Sequence, residues 1–172
     1  TTTPAGTTAS PTGMTLQIDS AASNPTIGSV VTTMPAGMTL NPSVANAIGS
    51  LACTTAQIDA GGAACPSGSK IGTVQLVTPL LPGTQTGSVY LETPGNTAAT
   101  RYKLAMIIDL PGTKLIVRGS TTVNGSSNLN GGLGATDTGT GQVIATFPSI
   151  PDLSFTQLKI AFNTGQNALF SN

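Results

Sequence analysis

Histidine and tryptophan are absent from this 172-residue sequence, and charge is scarce. Without His the chain lacks the commonest general base and the commonest metal ligand. Ser/His/Asp and Cys/His nucleophile arrangements are therefore excluded within it. Charged residues make up 7% of the sequence, against about a quarter in an ordinary domain. Six cations balance six anions, so nothing draws in a polyanion and nucleic-acid binding has no support. With no Trp and two Tyr, no aromatic platform for stacking a sugar is evident. No run of about 18 apolar residues occurs, so no membrane insertion is expected. The Gly-rich stretches lack the Lys-Ser/Thr ending of a phosphate loop.

The carboxylates are Asp19, Asp59, Asp109, Asp137, Asp152 and Glu92. They are scattered, mostly at strand ends and turns, and read as turn formers and solvated strand ends. No pair is spaced for acid–base work on a sugar. Asp137 lies in a Thr/Gly-rich stretch without the acidic partners of a calcium loop. Asn124-Gly125-Ser126 matches the N-glycosylation pattern. The expectation is a protein that is not an enzyme, with no catalytic residues, metal or cofactor.

What the sequence does contain is β-branched residues, Gly and Pro. With 38% apolar residues falling in short blocks, it reads as a folded β protein rather than a disordered chain. Its length suits one domain with a tail. Residues 1–13 hold no large apolar side chain and read as an extended Thr/Pro/Gly-rich tail or linker, with the domain over 14–172. Such a tail needs something to lie on, either a neighbouring copy or its own domain. Thr1, Thr2, Thr3, Pro4, Ala5, Gly6, Thr7 and Thr8 are the residues expected to act in assembly if it serves as a donor strand. The first residue is Thr rather than Met, which reads as a processed or excerpted product.

Period-two alternation marks strands over 14–20, 27–34, 71–78, 86–93, 101–109, 113–123, 141–147 and 155–162. The pairs Val74/Leu76, Val89/Leu91, Leu115/Val117 and Val143/Phe147 point to one face each. So do the series Tyr102, Leu104, Met106, Ile108 and Leu158, Ile160, Phe162. Turn chemistry separates the runs, as at Pro35-Ala36-Gly37, Leu81-Pro82-Gly83, Thr93-Pro94-Gly95 and Leu110-Pro111-Gly112. About eight strands with few helices predict an all-β fold, an Ig-like or Greek-key β-sandwich. Asn41-Pro42-Ser43 before Val44–Ile48, closed by Gly49, has the signature of a short helix. Residues 54–58 add another turn.

The two cysteines, Cys53 and Cys65, enclose a short Gly- and Ala-ended segment. Two Cys with no His cannot complete a tetrahedral zinc site. A disulfide is the expected state, pinning a loop–helix insertion and implying an oxidising compartment. Residues 124–141 form the most Gly/Asn-rich stretch and read as a long hairpin loop or surface arm. Lys103, Lys114 and Lys159 fall within strands. A crosslink to an Asn, assisted by a buried acid, is one reading of them, and a solvated polar face is the other.

Residues 35–92 carry an ordered set of pieces. They are Pro35-Ala36-Gly37-Met38-Thr39-Leu40-Asn41-Pro42-Ser43, Ala52-Cys53-Thr54-Thr55-Ala56-Gln57-Ile58 and Ala64-Cys65-Pro66. Ser69-Lys70-Ile71-Gly72-Thr73-Val74, Thr78-Pro79-Leu80-Leu81-Pro82-Gly83 and Gly87-Ser88-Val89-Tyr90-Leu91 follow. Thr146-Phe147, Pro151 and Leu153-Ser154-Phe155-Thr156-Gln157-Leu158-Lys159 extend the pattern. Together they resemble the uncharacterised tandem-repeat β-domain of very large secreted or cell-surface actinobacterial proteins, over most of residues 27–170. The stretch 120–141 departs from that pattern in being longer and richer in Gly, and the end at Ser171-Asn172 looks like a cut within a longer polypeptide. The resemblance implies secretion, tandem arrangement and a structural or adhesive role, with no catalytic residues to carry over. The expected function is a structural subunit or repeat of an extracellular fibre or surface layer, with copies of itself as partners. The alternative is an adhesin-type module binding a glycan or host surface.

Overall fold

A computed structural model describes residues 2–3, 11–21, 26–41, 51–95, 102–123, 142–165 and 168–171. The short helix expected after Asn41, the loop 124–141 with Asn124 and Asp137, and Thr1 and Pro4–Thr8 of the tail lie outside them.

The chain is all-β, as expected. Its strands are β1 (Thr2–Thr3), β2 (Pro11–Asp19), β3 (Val30–Thr33), β4 (Thr39–Leu40), β5 (Lys70–Val77) and β6 (Thr84–Glu92). The remainder are β7 (Tyr102–Leu110), β8 (Thr113–Val123), β9 (Val143–Phe147), β10 (Gln157–Phe162) and β11 (Phe170–Ser171). Among the described residues a five-residue helix, α1 (Thr55–Asp59), lies in the insertion. Each of the eight alternating runs in the sequence became a strand. The three two-residue strands β1, β4 and β11 are too short to leave a periodic signal.

The strands share one antiparallel hydrogen-bonded path, β3-β9-β8-β7-β6-β5-β10-β2-β11-β4, with β1 paired to β2. β5 to β9 form a meander, and β10 then returns to lie beside β5. That return is the Greek-key move. The β7–β8 hairpin turns on Pro111-Gly112 between the paired Leu110 and Thr113. Gly112 has φ 78°, the left-handed value a type II turn requires after Pro.

The path curls upon itself rather than lying flat. Leu115 and Val117 of β8 line the same cavity, of about 20 Å³, as Leu158 of β10. Three strands separate β8 from β10, which in a flat sheet would put them roughly 19 Å apart at about 4.8 Å per strand. The inward faces of distant strands therefore meet around one core, which includes Met34, Leu91, Leu104, Met106, Phe147, Ile160 and Phe170. Phe162 and Phe170 pack edge to face at 5.1 Å.

Two connections cross between the far ends of the path. Residues 20–29 carry the chain from β2 to β3, and residues 148–156 carry it back from β9 to β10. They are tied at both ends, by Ser20 N–H to the Thr156 carbonyl at 2.9 Å and Ile150 N–H to the Gly28 carbonyl at 2.8 Å. Phe155 is buried in the core, and Ile27, Ile150 and Leu153 pack against it. Residues 26–29 and 148–156 thus close over apolar surface that the curled sheet leaves open.

Candidate functional site

Two features stand out from the packing: a charged cluster under the disulfide insertion and, among the described residues, a strand edge without a neighbour at one end of the sheet.

The insertion begins where the ladder runs out. β5 starts at Lys70 opposite Tyr90, so β6 extends beyond its neighbour. Cys53 fills that place as a parallel bridge to Glu92. Its N–H donates to the Leu91 carbonyl at 2.9 Å, and its carbonyl accepts from Thr93 N–H at 2.8 Å. Backbone groups that burial would otherwise leave unpaired are satisfied this way. Thr54 then caps α1 with a reciprocal box. Its hydroxyl accepts from Gln57 N–H at 3.3 Å, and the Gln57 side-chain oxygen accepts from Thr54 N–H at 2.9 Å. Gln57 Nε2 also donates to the Ala64 carbonyl at 2.8 Å, holding the loop back to Cys65.

The Cys53–Cys65 disulfide is present, with Cα atoms 5.1 Å apart. It closes the insertion over the outer face of the central strands. Cys53 and Ile58 pack on Ala105 and Ile107 of β7, with Cys65, Tyr90 and Ile116 around them. Gly62 sits so close that a Cβ there would lie 2.7 Å from Ile107 Cδ1. β7 is therefore buried on both faces from Leu104 to Ile108, which its unbroken run Leu-Ala-Met-Ile-Ile permits.

At the rim of this second core lies Glu92. Read as a solvated strand end, it is instead 1% exposed. Register explains the burial. Glu92 is paired with Lys103, and Ala105 with Arg118 on the next strand. Lys103 Nζ lies 3.5 Å from Glu92 Oε1 and Arg118 Nε 3.3 Å from Oε2. Thr55 of α1 donates its hydroxyl to Oε1 at 2.6 Å. Oε2 has the Arg118 ion pair but no aligned hydrogen bond. Arg118 also donates Nη2 to Asp59 at the end of α1, at 2.7 Å. That bond, with the nearby Glu92 charge, holds the guanidinium pKa above its ordinary value against the opposing effect of burial. Thr55 and Asp59 thus tie the helix to the sheet through Glu92 and Arg118.

Of the six carboxylates, then, Glu92 and Asp59 are brought together through Arg118, a link no spacing in the sequence discloses. Asp109 pairs with Lys114 across the hairpin. Asp19 is exposed and accepts from the side chains of Gln157 and Gln17. Those bonds, Gln157 first, lower its pKa from the ordinary value. Among the described residues no three His, Cys, Asp or Glu side chains gather as metal ligands do. An open groove of about 540 Å³ runs between the end of α1 and the β7–β8 hairpin, lined by Asp59, Gly61, Asp109, Thr113, Lys114 and Ile116. Of the three lysines considered for crosslinking, Lys103 faces a buried acid, Lys114 an exposed one, and Lys159 sits half-buried on β10.

The second feature is β3. It ends the path and, among the described residues, pairs only with β9. Val31 on this strand is 65% exposed, and Leu80 in the β5–β6 turn equally so. Between Asp19 and Lys70 the sequence contains a single charge, Asp59. Of the tail residues named for assembly, Thr2 and Thr3 form β1 and pair with Met14 and Gly13 of their own chain.

Among the described residues no helix is long and apolar enough to cross a membrane. No family model matches this chain, and comparison with curated proteins and with solved structures finds nothing similar.

Proposed function

We propose that this domain is a structural subunit or repeat of an extracellular fibre or surface layer, joined to copies of itself by strand and tail contacts rather than acting as an enzyme. The observation that carries the reading is the uncharged open edge at β3 with Val31 exposed on it. Proteins that stay monomeric blunt such edges with Lys, Pro or a bulge, and Val30–Thr33 contains none of these. The β1–β2 pairing lends further support. A tail that adds a strand to its own β2 can add the same strand to a neighbour's, which is the low-cost exchange of domain swapping. The disulfide suits an oxidising location outside the cytoplasm. The resemblance to secreted repeat domains points the same way.

Electron microscopy of the purified protein at high concentration tests this. Ordered filaments or arrays are expected, and deletion of residues 1–8, which leaves β2 whole, is expected to shorten or abolish them. A chain that stays monomeric and featureless would sink the proposal.

One observation favours the adhesin reading: the open groove beside α1, which offers the carboxylates of Asp59 and Asp109 together with the Lys114 ammonium. Such groups can bond sugar hydroxyls, although no aromatic ring lines the groove. Reproducible glycan-array hits, lost in Asp109→Asn, would move the weight to that reading.

A further inference from the structure

The backbone groups of β3 alternate in direction along the strand. Met34 N–H donates to the Val143 carbonyl at 2.8 Å, and the Gly28 carbonyl accepts from Ile150 N–H at 2.8 Å. Both even-numbered residues thus turn their backbone groups toward β9 and the segment that follows it. In an antiparallel ladder the direction alternates, so Val30 and Thr32 face β9 as well. The N–H and C=O groups of Ser29, Val31 and Thr33 therefore point away from the sheet. Side chains alternate too: those of Ser29, Val31 and Thr33 are exposed, whereas those of Val30 and Thr32 are half-buried.

We infer that this edge is a self-complementary docking strand whose partner is β3 of a second copy, paired antiparallel about a twofold axis through Val31. This inference rests on the assembly reading above and names its contact. In that register Val31 faces Val31, Ser29 faces Thr33, and Thr33 faces Ser29. All three are the residues with outward backbone groups, so each forms a hydrogen-bonded pair, giving about six hydrogen bonds across the axis. A one-residue slip would oppose outward groups to inward ones and lose them. The exposed Val31 side chains meet each other, the β-branched contact that stabilises cross-strand pairs. No charge lies on either strand, so two identical edges approach without like-charge repulsion. The axis through Val31 makes the contact isologous, and the two curled sheets become one continuous sheet.

Sedimentation and disulfide trapping test the register. Val31→Lys places two ammonium groups opposite each other at the axis and is expected to weaken pairing roughly tenfold or more. Its thermal unfolding should match the wild type, because the side chain is exposed. Val31→Cys should crosslink to itself under mild oxidation, with paired Cα atoms about 5.5 Å apart. Ser29→Cys and Thr33→Cys should each stay uncrosslinked alone and crosslink when mixed. Leu80→Cys, equally exposed, serves as the control for random collision. If Val31→Lys assembles like the wild type, or Val31→Cys crosslinks no faster than Leu80→Cys, the β3 contact is overturned, and the assembly that the wild type still shows is carried by the tail. If the wild type sediments as a monomer at every concentration, both fall.

Discussion

Thr121 lies on the core face of β8, in the same phase as Val117, and its hydroxyl is buried with no partner among the described residues. An unmatched buried polar group costs more than it contributes. Thr121→Val keeps the shape and removes that group. It is expected to stabilise the fold by about 1 kcal/mol, raising Tm by about 2–4 °C in a thermal melt. Asp19 behaves differently, because its pKa is lowered in the folded chain by the amides of Gln157 and Gln17. A group depressed on folding adds stability above its unfolded pKa and loses it as pH falls through the lower folded value. Asp19→Asn should therefore remove a small stabilisation present at neutral pH, so that Tm is slightly lower there and falls less than in the wild type as pH drops below about 4. Neither role is visible in the sequence. The threonine fits a strand face of either kind, and the Asp19–Gln157 contact spans two strands distant in the chain.

The disulfide insertion shows how one element depends on a charge it does not carry. Glu92 belongs to β6, yet Thr55 and Asp59 of α1 reach the sheet through it and Arg118. Removing one partner of a buried ion pair strands the other. Arg118→Met leaves the Glu92 carboxylate with Lys103 and the Thr55 hydroxyl, and is expected to cost about 3 kcal/mol in urea unfolding. Asp59→Asn breaks only the outer pair, whose side chains are 59% and 41% exposed, and should cost less than about 1 kcal/mol. Equal costs would show that Glu92 is not the anchor. The Cys53→Ala/Cys65→Ala double variant frees a loop of sequence separation 12 and should cost roughly 3 kcal/mol in the same assay. The eight long strands and the disulfide were legible beforehand, since alternation and a lone Cys pair are local signals. The burial of β7 on both faces was half legible. Ala105 and Ile107 stand where polar residues were due, but what covers them could not be named.

At the scale of the whole molecule, the pairings that close the fold are far apart in sequence. β2 meets β10 and β3 meets β9. Ile27 of the first crossing and Ile150, Leu153 and Phe155 of the second have to be in place before the core is sealed. Non-local pairing is slow because loop closure precedes its reward. Refolding after dilution from denaturant is expected to take milliseconds to seconds, and a microsecond phase carrying the full tertiary signal in stopped-flow or temperature-jump traces would contradict this. Among the described residues the same topology leaves β3 as an end strand with no charge on it, and the proposed assembly rests on that exposure rather than on any motif.

The sequence by itself determined the class of this protein. Period-two patterning with Pro-Gly turns specifies antiparallel strands, and an isolated Cys pair specifies a small closed loop. Both depend on neighbours a few residues apart, which a linear reading sees. Only the tertiary structure decided which strands are neighbours, and therefore that the sheet curls into one path, that Glu92 is buried between Lys103 and Arg118, and that Val31 stands exposed on the end strand of that path. Strand order and register are settled by the joint burial of faces contributed from the whole chain. No segment carries that information alone.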